Sequence, residues 1–308
     1  MPLAAPLRPF LNWSVETDPT LWGEVDVALL GLPYSEHYSG NPRPNDQARA
    51  PEDIRLHSNV LTYAPNFHDF THGATLEQVI PRAGRDAGNL AETGDFDAYY
   101  REAVAVMRRQ FETARFSIML GGDHGATIPA FEALEVRGPV HVVQIDAHMD
   151  WREEVRGARR GYSSTMRRAS EMPWIKGMTQ IGLRCAGSAR EEEARAARAW
   201  GAELVTALEV HRNLQAVLDG LKGKGPFYIT IDADGMDPSV MPGCLWPVPG
   251  GLRYEQLQEI LLVLAREGLV GMDIVEVGPS YDLPNHLTAI TAARMMVDGL
   301  AFSRGFRG

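Results

Sequence analysis

Cysteine is nearly absent from this chain: Cys185 and Cys244 are the only two in 308 residues. With no CxxC spacing, a disulfide scaffold and a thiolate zinc site are both excluded, and a reducing compartment is expected. Long apolar runs are missing as well. No stretch approaches the roughly 18 uninterrupted apolar residues of a spanning helix. Positive charge is in deficit, with Lys plus Arg at 30 against Asp plus Glu at 40 and a net charge of -10. That balance lacks the basic footprint a nucleic-acid partner requires. Residues Met1 to Trp13 carry prolines at 2, 6 and 9 and no basic segment ahead of an apolar one. They do not read as a secretory signal, so a cytoplasmic protein without membrane association is expected.

What is present is an alternation. Short apolar runs at Val25–Gly31, Phe116–Leu120, Val140–Ile145, Phe227–Ile231 and Val270–Val277 are rich in Val and Ile. Between them lie longer stretches with helical apolar spacing: Asp97–Ala114, Ala189–Trp200, Asn213–Leu221, Tyr254–Arg266 and His286–Phe302. Strand then helix, repeated, predicts an α/β fold of three layers, αβα, with a mainly parallel central sheet. Tyr34 to Ala91 is the section poorest in pattern and is expected to form long loops with one or two short helices.

Three of the strand endings carry the same chemistry: LGGDHG at Leu120–Gly125, IDAHMDW at Ile145–Trp151 and IDADGMDP at Ile231–Pro238. Ligands bind at the carboxyl ends of strands in open parallel sheets, so these segments are expected to meet in one crevice. Asp146, His148 and Asp150 stand at i, i+2 and i+4, which in an extended chain puts all three on one face. Asp232 and Asp234 repeat the logic. Such acids and imidazoles repel one another when buried unless a cation sits among them.

His124, Asp146, His148, Asp150, Asp232 and Asp234 exceed the three protein ligands of a catalytic zinc, and their four carboxylates balance two divalent ions. Carboxylate with some imidazole and no thiolate points to manganese, two per chain, with nickel, cobalt, iron or zinc as weaker alternatives. Any one of these motifs has a plain structural reading as a solvated turn or a capped helix start. The three together in a βα context are harder to obtain by accident.

The order GGDH, DAHxD, DxDxxDP resembles the ureohydrolase family of arginases, agmatinases and related guanidino-acid hydrolases, from about Val25 to the C-terminus. The resemblance implies a single ureohydrolase domain over 1–308, with 1–24 an N-terminal extension. It also implies one manganese held by His124, Asp146, Asp150 and Asp232, and a second by Asp146, His148, Asp232 and Asp234. DIVEVGPSYD at Asp273–Asp282 places Glu276 where the family holds the substrate guanidinium, and Asp150 becomes the proton shuttle.

Two segments depart from the family pattern. Where relatives carry a histidine in a motif like HGTPFRRA, this chain has GYSSTMRRASE at Gly161–Glu171, with Tyr162 or Ser163 in that place. Where relatives show PGTGTPEPGG, it has PGCLWPVPGG at Pro242–Gly251, so Cys244, Leu245 and Trp246 replace small residues. Either Trp246 forms a bulkier pocket wall or it packs under the loop or in a subunit interface.

The expected activity is hydrolysis of a linear guanidino compound to urea and an amine, nearest to agmatine giving putrescine. A guanidinobutyrase-like or substituted-guanidine or biguanide hydrolase is the alternative. A one-zinc amide hydrolase and a non-catalytic metal-binding subunit of a hetero-oligomer are the rivals of other classes. The family implies homo-trimers or homo-hexamers.

Overall fold

The computed structural model describes every residue except 1, 2, 35, 37, 39–44, 82, 187, 188, 307 and 308. Its strands are β1 Ser14–Val15, β2 Val25–Leu32, β3 His68–Asp69, β4 Ala74–Thr75, β5 Arg85–Asn89, β6 Ala114–Gly121, β7 Val140–Ile145, β8 Ile175–Leu183, β9 Glu203–Thr206, β10 Phe227–Asp232 and β11 Leu269–Val275. Its helices are α1 Ala50–Ser58, α2 Leu76–Val79, α3 Phe96–Thr113, α4 Thr127–Ala133, α5 Thr165–Ala169, α6 Glu191–Trp200, α7 Ala207–Arg212, α8 Leu214–Leu221, α9 Tyr254–Arg266 and α10 Leu287–Ser303.

Nine strands form one sheet in the order β1-β5-β2-β6-β11-β10-β7-β8-β9, and every pairing in it is parallel. β3 and β4 make a separate antiparallel hairpin. Alternation along each strand sorts side chains to the two faces. Val27, Leu29, Phe116, Ile118, Ile229 and Ile231 pack with α1, α7, α8, α9 and α10 on one side. Leu30, Leu32, Met119, Val142 and Tyr228 pack with α3, α4, α5 and α6 on the other. The three-layer αβα architecture is therefore the observed one.

Local rules account for the layers. In α3, Tyr99, Ala103, Val106, Met107 and Phe111 are buried at helical spacing, and Asp95 caps the start by accepting from the Asp97 and Ala98 amides. Such a cap contributes about 1 kcal/mol. α10 differs from its expected amphipathic character: it is buried almost all round, because it lies between α1 and α9 against the sheet. Among the described residues no helix is long and apolar enough to cross a membrane.

The pattern-poor section holds more order than expected. α1 and α2 supply its two short helices, but β5 is a fully buried strand of the main sheet. Its sequence, RDAGN, looks like a loop because burial is achieved with a buried ion pair. Arg55 Nε and a terminal nitrogen donate to the two carboxylate oxygens of Asp86 at 2.9 and 3.0 Å, and its other terminal nitrogen donates to Asn89 Oδ1 at 2.6 Å. The parts of this section at 35, 37, 39–44 and 82 lie outside the described residues. Ahead of residue 25, Phe10, Leu11, Trp13 and Trp22 are buried and Ser14–Val15 pairs with β5, so that segment is packed onto the sheet and its helices.

Candidate active site

Four adjacent central strands, β6, β11, β10 and β7, end on one side of the sheet, and the residues that follow them line a cavity of about 310 Å³. His124, His148, Asp150, Tyr162, Ser163, Asp232, Asp234, Cys244, Leu245, Trp246 and Glu276 form its walls. Asp146 lies beneath them, fully buried.

Beyond β7 and β10 the chain leaves the extended conformation, so simple alternation does not bring the donors together. Asp146 Oδ1 accepts from the His148 amide at 2.6 Å, and Asp150 has a left-handed backbone at φ 47. Asp232 Oδ1 accepts from the Asp234 amide at 2.8 Å, opening a tight 3₁₀ turn. Asp234 Oδ1 in turn accepts from the Ala147 amide at 3.2 Å, joining the two turns. Gly235 permits that contact: a Cβ there would lie 2.6 Å from the Asp146 nitrogen. Gly125 serves in the same way, since a Cβ there would meet the Arg160 carbonyl oxygen at 2.7 Å.

His124 Nδ1 faces Asp146, Asp150 and Asp232 oxygens at 3.1, 3.0 and 3.3 Å. His148 Nδ1 faces Asp234 at 3.0 Å and Asp146 at 3.5 Å. Burial alone would lower the His124 pKa, yet its three carboxylates hold it well above the usual value. For His148, Asp146 and Asp234 overcome burial and push it up to about 12. Burial and the neighbouring Asp146 charge raise Asp150 to about 7. Asp232 and Asp234 are raised by burial and by repulsion from the other carboxylates. Asp146 is held low, because hydrogen bonds from His124 and His148 outweigh its burial.

The donor set fits metal ions. His124 Nδ1 is buried without a hydrogen-bond partner of good geometry, although three carboxylate oxygens converge on it. Its other nitrogen, Nε2, lies 3.0 Å from Thr230 Oγ1. The Thr230 hydroxyl gives its single proton to Asp273 Oδ1 at 2.6 Å, so it accepts from Nε2–H. In the neutral ring Nδ1 then carries the lone pair, aimed at three acceptors. A cation between them removes the conflict.

Glu276 reaches the same cavity from the end of β11. Its Oε1 accepts from the His124 amide at 2.9 Å and its Oε2 from Gln47 Nε2 at 2.7 Å. Its backbone is left-handed at φ 61, strain of the kind that clusters at functional sites. Burial, reinforced by Asp123, raises its pKa to about 8.

Every site residue expected from the sequence is in this cavity or under it. The loop carrying Tyr162 and Ser163 is tied down by Ser163 N–H donating to Tyr38 Oη and by Thr165 Oγ1 donating to the His124 carbonyl, both at 2.9 Å. Trp246 is 41% exposed and stands at the mouth, while Cys244 and Leu245 are buried in the wall. Arg167 and Arg168 are paired with Glu153 and Glu171 and line no part of it. The sequence reading missed Gln47, Thr230 and Asp273, the residues behind Glu276 and His124. None belongs to a metal-spaced motif, so no signal marked them.

The Arginase family profile matches residues 25–301. The chain belongs to the arginase family. Guanidinobutyrase of Pseudomonas aeruginosa is 32% identical over 91% of this chain and 87% of its own. N(1)-aminopropylagmatine ureohydrolase of Thermus thermophilus is 31% identical over 88% of each. Among solved structures, proclavaminate amidino hydrolase from Streptomyces clavuligerus superposes with a TM-score of 0.83 at 27% identity, covering 97% of both chains. This arginase-family enzyme is a hydrolase of C–N bonds in guanidino compounds, and the family works with a binuclear metal centre. A further His–Asp group, Asp53, His57 and His286, lies outside the cavity. Its imidazoles are stacked at 3.8 Å and 19°, so their in-plane lone pairs do not converge on one ion.

Proposed function

We propose that this enzyme hydrolyses a linear guanidino compound to urea and an amine, with agmatine to putrescine the reaction its pocket suits best. The reading rests on one observation: Glu276, a carboxylate outside the His–Asp cluster, opens into the same cavity as that cluster. A planar guanidinium pairs with such a carboxylate through charge-assisted hydrogen bonds, which sets its carbon toward the cluster.

Under this reading two manganese ions are held by His124, Asp146, Asp150 and Asp232 and by Asp146, His148, Asp232 and Asp234. When bound they supply Lewis acidity, lowering the pKa of water to about 7. Glu276 binds and orients the guanidinium. Water adds to the guanidine carbon, the bond to the tail nitrogen breaks, and Asp150 passes a proton to that nitrogen as it leaves. Water and guanidinium thus become urea and a protonated amine.

The far wall supports agmatine over a guanidino acid. No Lys or Arg is among the described lining residues, which favours a cationic tail over a carboxylate one. Tyr162 and Trp246 instead offer aromatic faces, which attract an ammonium tail. Assembly into homo-trimers or homo-hexamers is part of the same proposal, supported by the exposed apolar side chains Val60, Tyr63, Phe67 and Phe70 on one surface segment.

The test is urea release from agmatine, arginine, guanidinobutyrate, guanidine and biguanides, with metal content measured on the same preparation. Agmatine should lead the panel in kcat/KM with two manganese per chain. Faster turnover of guanidinobutyrate would overturn the substrate assignment, and one metal per chain would overturn the binuclear one.

A further inference from the structure

We propose that Gln47 is a positioning residue for guanidinium recognition, holding Glu276 in the orientation that receives the substrate. The inference rests on the role given to Glu276 above. Gln47 is 2% exposed, and its side-chain amide makes one hydrogen bond among the described residues, from Nε2 to Glu276 Oε2 at 2.7 Å. Its Oε1 is buried and has no partner among the described residues. A buried amide is costly unless it is used, and among the described residues this one is used on that carboxylate. Turning the amide over would set oxygen against oxygen, so the Glu276 carboxylate selects its orientation.

The turn that carries Gln47 is fastened to the loop that carries Glu276. Asp46 Oδ2 accepts from the Ser280 amide at 3.0 Å and from its hydroxyl at 2.6 Å. The Glu276 amide donates to the Gly122 carbonyl at 2.8 Å, and the His124 amide holds Oε1. Backbone, one carboxylate oxygen and then the other are therefore fixed from three directions, and Gln47 is the only one of the three partners that acts through its side chain. Without it only Oε1 stays anchored, by the His124 amide, and the carboxylate loses the second hold that fixes its plane. A guanidine carbon carried with it would lose its alignment, and misplacement of about 1 Å is enough to cost two orders of magnitude in rate.

The test is Gln47→Met, which keeps length and apolar volume, in the metal-loaded enzyme. Metal content and thermal midpoint should match the wild type, while kcat/KM falls about 10- to 100-fold. The loss should be equal for agmatine and guanidinobutyrate, because it acts at the guanidine end and not at the tail. Calorimetry with agmatine as the probe should show weakened binding in parallel. Should Gln47→Met fail to fold, Gln47→Glu carries the test: it sets carboxylate against carboxylate and should lose more. A folded, metal-loaded variant within twofold of wild type overturns the inference, as does a loss confined to one tail. If the wild type binds agmatine without releasing urea, weakened binding in the variant upholds Gln47 while the hydrolase reading falls. If the wild type binds no guanidine, both fall.

Discussion

His124 donates from Nε2 to Thr230 Oγ1 at 3.0 Å, and the proton on that hydroxyl is given to buried Asp273. The relay fixes both the tautomer and the tilt of the imidazole, so Thr230 controls a proposed metal ligand it never replaces. Thr230→Val, nearly the same shape, should leave the fold intact and lower metal affinity about 10- to 100-fold. A competition titration against a chelator reads this directly, and unchanged affinity would remove the relay from the account.

Removing Asp232 and removing Glu276 should have different consequences. Asp232→Ala deletes an oxygen shared by the two proposed ligand sets and should lose metal and activity together. Glu276→Ala should keep both metals and lose turnover. Elemental analysis beside the urea assay distinguishes them, and normal turnover in Asp232→Ala would refute the shared-ligand assignment.

Metal uptake should release protons. In the cation-free chain His124 lies well above its usual pKa and His148 at about 12, so both are charged near neutral pH. Ligating imidazoles must be neutral and ligating carboxylates ionised, so loading should expel at least two protons, the two rings' and those held by the raised Asp150 and Asp232, and affinity should fall as the pH is lowered. Calorimetric enthalpies in buffers of different ionisation heat give the number. Uptake with no proton release would contradict the charge state inferred for the two rings.

Trp246 should matter for the tail of the substrate. Trp246→Ala removes an aromatic face at the mouth and should raise the agmatine KM about 3- to 30-fold, with little change for guanidine itself. Equal losses for both would show that Trp246 serves the loop instead.

Stability has its own test in Arg55 and Asp86. Asp86→Ala strands a buried guanidinium and should cost about 3–5 kcal/mol, seen as an earlier urea midpoint with an unchanged slope.

Much of this was legible in the sequence because apolar strands announce themselves and the donors stand at their ends. β2, β6, β7, β10 and β11 were readable from Val and Ile runs, and those last four deliver the site. β5 was not, because its burial depends on a partner 31 residues away in α1, and no local pattern encodes such a pairing. The donors were found, but the way they converge was not. Asp150 turns through a left-handed backbone, and Asp234 is placed by a hydrogen bond to the Ala147 amide. Gln47 was invisible for the same reason as β5: its purpose appears only once residue 276 is beside it.

The position of β10 between β7 and β11 has a consequence for biogenesis. The emerging chain makes the GGDHG and DAHMD segments long before Asp232 and Asp234, and it reaches Glu276 last. On the proposed ligand sets both ion sites stay incomplete until β10 has docked, so metal would close the fold late and would not nucleate it.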